Sequence, residues 1–80
     1  MTLTQLKKGA VLLMHFKKDG YYDGDREQFF HYRKNDPSWC SIYCVSGRYY
    51  FANRINQIHV RECSDFWHAR RLFNDFVSID

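Results

Sequence analysis

Eight residues between Tyr32 and Arg54 combine flat rings with positive charge: Tyr32, Lys34, Trp39, Tyr43, Arg48, Tyr49, Tyr50 and Arg54. That combination suits single-stranded nucleic acid. Bases stack on exposed rings for roughly 1–3 kcal/mol each, while Lys and Arg neutralise phosphates. The competing use of the same residues is cross-strand packing with charges on a solvated rim. Arg33 alternates to the face opposite Tyr32 and Lys34, which argues against one unbroken strip.

Other chemistries have weaker grounds. His31, Cys40, Cys44, His59, Cys63 and His68 are potential zinc ligands. Cys40 and Cys44, however, stand four residues apart on an expected strand, roughly 13 Å by strand rise. No motif surrounds any cysteine beside a histidine base, so no catalytic residue is named. Asp19, Asp23, Asp25 and Glu27 lack the spacing of a helix-loop-helix calcium site. Neither a metal nor a cofactor is expected, and the chain reads as a binding module without catalysis.

A second class of function rests on other residues. Tyr21, Tyr22 and Asp23 form the tip of an acidic loop, and tyrosine is enriched at protein interfaces. Trp67, Arg70, Arg71 and Asn74 share the outer side of an expected helix, the composition of an interaction hot spot. These residues would serve an inhibitor or adaptor. A homodimer through an edge strand or exposed aromatics suits either class.

The elements that must position these groups follow from patterning. Eighty residues, 45% hydrophobic and 19% aromatic, describe one small domain able to bury a core without disulfides. Three cysteines and a start without signal-peptide order lead us to expect reduced thiols in the cytoplasm. No apolar run reaches the roughly 20 residues that span a bilayer, so no membrane partner is expected. The net charge of +3 divides unevenly: residues 19–27 carry four acidic groups against Arg26 alone. The remainder is therefore basic, a sign that favours polyanions.

Residues 1–9 suggest a helical turn begun at Thr2 or Thr4 and stopped at Gly9. Residues 10–63 should hold five strands. The first, 10–18, is apolar on both faces at its start, as if covered by a further element. A turn-forming loop at 19–25 leads to a second strand at 27–35, which Asp36-Pro37-Ser38 breaks. The third, 39–45, alternates Trp39, Ser41, Tyr43 and Val45 against Cys40, Ile42 and Cys44, the latter set expected inward. Ser46-Gly47 turns the chain into 48–52, Asn53 to Asn56 interrupts, and 57–63 closes with Ile58 and Val60 inward. A helix over 64–79, capped by Ser64, presents Phe66, Ala69, Phe73, Phe76 and Val77 on one stripe. Five short strands and one helix predict a mostly β fold, a small SH3-like or Sm-like five-stranded barrel.

Within it, residues 39–58 resemble the WYL domain, an Sm-like barrel of bacterial transcriptional regulators and phage-defence proteins. In that family a tryptophan-containing strand, often continuing through an Ala-Tyr-Cys-like segment, precedes Arg, Phe two residues on, and Asp-Arg-Ile. Here Trp39, Ile42-Tyr43-Cys44, Arg48, Tyr50 and Asn53-Arg54-Ile55 take those places. Phe51 stands where the family has a second arginine, Ala52 replaces a larger apolar residue, and Trp39-Cys40-Ser41 is not the family's name-giving tripeptide. The resemblance implies a regulatory module of bacterial or phage setting. Its nucleic-acid or nucleotide-like ligand would meet Arg48, Arg54 and neighbouring aromatics, on a surface one arginine poorer than the family's.

Overall fold

The computed structural model describes residues 1–18, 38–55 and 57–78. Six elements run in chain order: α1 (Leu3–Gly9), β1 (Val11–Lys18), β2 (Ser38–Val45), β3 (Arg48–Arg54), β4 (Ile58–Cys63) and α2 (Phe66–Val77). The strands form one antiparallel sheet in the order β1-β2-β3-β4. The fold is thus mostly β with a C-terminal helix, and the four described strands make an open sheet. The strand expected at 27–35, with Tyr32 and Lys34, lies outside the described residues, as does the 19–25 loop with Tyr21, Tyr22 and Asp23. β1 pairs with β2 itself, Phe16 opposite Cys40 and Lys18 opposite Ser38.

Local chemistry explains the ends of the elements. Thr2 caps α1 through a reciprocal box: its hydroxyl accepts from the Gln5 backbone N–H at 3.2 Å, and the Gln5 side chain accepts from the Thr2 N–H at 2.8 Å. Ser46 and Gly47 have φ of 50° and 74°, the pair of positive angles a tight type I′ hairpin requires. Asp65, rather than Ser64, caps α2: its carboxylate accepts from the His68 N–H at 2.8 Å. Ser64 instead donates its own N–H to His68 Nδ1 at 3.2 Å, a bond that helps hold the chain at the helix entrance.

Alternation sends each strand's side chains to two faces, and a helix lies on each. On one face α2 lays Ala69, Phe73 and Phe76 over Cys40, Ile42, Phe51 and Cys63. The helical stripe is therefore as the 3.6-residue period places it. On the other face Leu6 of α1, 0% exposed, sits on Tyr43, Tyr50 and Ala52. Cys40 and Ile42 face the α2 core as expected, but the second face of β2 is covered as well. Ser41 and Tyr43 are as buried as Cys40 and Ile42, while Cys44 is only half-buried.

Two further expectations are corrected. Ile58 is exposed, because it lies at the open end of the α1 face beyond the reach of that short helix. Val11, Leu12 and Leu13 are exposed as well, rather than covered, on the outermost strand of the described sheet. A register shift between Leu12 and Met14 lets one extra residue into β1 there.

Candidate functional site: a cationic aromatic pocket beside the N-terminal helix

Residues paired directly across an antiparallel sheet share a face. The α1 face can therefore be read as rows running from strand to strand. At one end Lys17, Trp39, Arg54 and Ile58 form a row, β1 to β4. Next come His15, Ser41, Ala52 and Val60, and then Leu12, Tyr43, Tyr50 and Glu62. β3 keeps pairing through Arg54, opposite Trp39, instead of breaking at Asn53. That extra length brings the arginine beside the tryptophan.

Leu6 of α1 covers Tyr43 and Tyr50 of the third row and Ala52 of the second, and the first row is left partly open. The result is a pocket of about 240 Å³. Ser41 and Tyr43 form its floor, Trp39 and His15 one side, and Lys7 and Arg54 bring cations to it. Ser41 is 1% exposed and needs a hydrogen-bond partner there. His15 supplies it, with Nδ1 2.7 Å from the Ser41 hydroxyl. The bond holds the imidazole beside Trp39, ring centroids 6.2 Å apart and planes inclined at 33°. Lys17, exposed, flanks Trp39 on the strand opposite Arg54.

The sequence-derived set divides on this face. Trp39 and Arg54 come together in the pocket, with Tyr43 beneath them. Tyr43 and Tyr50 are each 6% exposed, which corrects their assignment as stacking platforms: Leu6 covers them. Arg48 pairs with Val45, six residues along β2 from Trp39, roughly 20 Å by strand rise. There it meets Glu62 at 3.8 Å, and the Tyr50 hydroxyl donates to the same carboxylate at 3.2 Å. Arg48 therefore belongs to a separate surface ion pair, one of a kind worth about 0–1 kcal/mol.

On α2 the proposed contact residues also separate. Trp67 is 73% exposed, edge-on to Phe66 with ring centroids 5.4 Å apart, and Arg71 is exposed beside it. Arg70 is not on that outer side. Its guanidinium turns under the sheet to Met14 Sδ at 2.7 Å and lies 5.9 Å from the Phe73 ring centre.

Cys40 and Cys63 are buried on the α2 face, away from His15, and the described residues hold no group of three or more potential metal ligands. Burial pushes the Cys63 thiol above its ordinary range, keeping it protonated. No helix among the described residues is long and apolar enough to cross a membrane.

Lys7, His15, Lys17 and Ser41 were not singled out from the sequence. Alternation in β1 could have placed His15 and Lys17 on one face, but not which strand they join. No family model, curated protein or solved structure matches the chain.

Proposed function

We propose that this chain is a regulatory binding module, without catalysis of its own, for single-stranded nucleic acid or a nucleotide-like ligand. One observation carries the reading: Trp39, half-buried and open to a pocket, stands between Lys17 and Arg54, with Lys7 arriving from α1. A flat base against the indole leaves the phosphates on either side of it within reach of three cations. The volume of about 240 Å³ lies under the roughly 300–1,000 Å³ of pockets that enclose a drug-sized ligand, so it suits one base. The fold that belongs with this reading is the five-stranded SH3-like or Sm-like barrel, similar to a WYL domain. The β1–β4 meander and the direct Trp39–Arg54 pairing support it, while Arg48 lies at the far end of the same face from Trp39. A cytoplasmic setting completes the proposal.

The test is fluorescence anisotropy with labelled single-stranded DNA, single-stranded RNA and duplex. Three phosphate contacts give a salt slope of about −2 for single strands, or about a twenty-fold loss between 50 and 200 mM salt. Trp39→Ala should weaken binding by about 5- to 150-fold, the loss of one stacked base. Arg54→Gln, which removes no core residue, should lower the slope by about 0.7. Single strands that fail to bind at tens of micromolar protein would overturn the reading.

A second reading rests on Trp67. An indole exposed to 73% beside Arg71 is the composition of a protein-binding hot spot. Under it the chain is an adaptor or inhibitor, a stable complex forms with one protein, and Trp67→Ala abolishes that complex while nucleic acid has no effect.

A further inference from the structure

We infer that the pocket takes the end of a strand, a terminal nucleotide with its phosphate, or the same group as a free mononucleotide, and does not thread a continuous chain. The inference rests on the binding reading above and narrows its ligand.

A threaded strand needs a way in and a way out along the sheet face. The way in lies over Trp39 and Arg54. Two rows further, about 13 Å by strand rise, Leu6 closes the face over Tyr43 and Tyr50. Glu62 stands in that closed row, paired to Arg48 of the row beyond and accepting from the Tyr50 hydroxyl, so a phosphate passing over Leu6 meets a carboxylate and an arginine already paired with it. Among the described residues the pocket is therefore closed at its Leu6 end.

Charge favours the same ligand. An internal phosphodiester carries one negative charge, whereas a terminal phosphate monoester carries about −1.5 to −2 at neutral pH. Lys7 and Arg54 line the pocket and Lys17 stands across from Trp39, and a monoester offers these cations more negative charge than a diester does. The buried Ser41–His15 pair fixes the pocket floor, so the site is formed before the ligand arrives.

Calorimetric titration of the whole chain with unlabelled ligands decides it. The ligands are a linear oligodeoxyadenylate phosphorylated at its 5′ or its 3′ end, the same oligomer without terminal phosphate, a covalently closed circle of equal length, and AMP. We expect the better of the two phosphorylated oligomers to bind at least ten-fold tighter than the circle. Removing its phosphate should weaken it several-fold, and saturating AMP should displace it. If AMP alone binds, the site belongs to free nucleotides; if the phosphorylated oligomer binds too, it also takes strand ends. A circle that binds as tightly as the linear oligomers overturns the inference and leaves the single-strand reading standing. Absence of heat and of competition for every ligand overturns both.

Discussion

Leu6→Ala tests the contact that makes the pocket. Leu6 is the buried residue of α1 and is fully enclosed against Tyr43, Tyr50 and Ala52. The substitution removes three carbons, about 2.4 kcal/mol of transfer free energy at about 0.8 kcal/mol per carbon. The cavity left behind raises such losses to about 2–5 kcal/mol. α1 has only seven residues and little else to hold it, so it can lift away instead of spanning a cavity. That escape limits the cost, and we expect about 2.5–3.5 kcal/mol. Against a typical total of about 5–15 kcal/mol the change is large. Urea unfolding followed by circular dichroism measures it, and amide exchange separates the two routes. If α1 lifts, the Leu6 and Ala10 amides, bonded at 3.0 and 2.8 Å to the Thr2 and Leu6 carbonyls, exchange faster than the sheet. A cost below about 1 kcal/mol would refute the seating of α1, and with it the pocket wall that carries Leu3 and Lys7.

Two other expectations are quickly checked. Ser46 holds a φ of 50°, a region that costs most side chains about 1–2 kcal/mol and that asparagine adopts more readily, so Ser46→Asn should raise stability by about 0.5–1 kcal/mol in urea melts. Cys63 is held protonated by burial, above its ordinary value of 9.0. The unfolded thiol ionises first as pH rises, so the unfolded state binds fewer protons and stability falls from about pH 9 upward. Below that pH the thiol contributes no slope. Urea midpoints at pH 7, 9 and 10 should fall less steeply in Cys63→Ala than in the parent chain, and equal slopes would contradict the assignment.

Much of the frame was legible before any coordinates. Phe66, Ala69, Phe73 and Phe76 recur at the helical period, and that stripe alone orients α2. Ser46-Gly47 between two alternating runs fixes a hairpin and, with it, the register of β2 on β3. The site was harder to read, for a physical reason. Alternation puts Trp39, Ser41 and Tyr43 on one face but is silent about what covers that face. The answer depends on a seven-residue helix anchored by one buried leucine, too short to announce where it docks. Because α1 covers the third row, Tyr43 and Tyr50 became core while Trp39 stayed open. The cations came from segments far apart in sequence, at 7, 17 and 54. A strand's own pattern does not name its partner, and β1 takes 38–45 for its neighbour. Arg70 was misplaced for a related reason: its long stem reaches around the helix to Met14 from a position that geometry alone puts at the margin of the buried stripe.

The central claim is that ligand meets the indole of Trp39. The chain has two tryptophans, so Trp67→Phe leaves Trp39 as the only indole and Trp39→Phe leaves Trp67. Fluorescence of each variant is followed while a phosphorylated oligodeoxyadenylate is added at low salt. The account predicts saturable quenching of Trp39, reversed by salt, and a flat response from Trp67. Quenching of Trp67 with a silent Trp39 would contradict it and move the binding surface to α2.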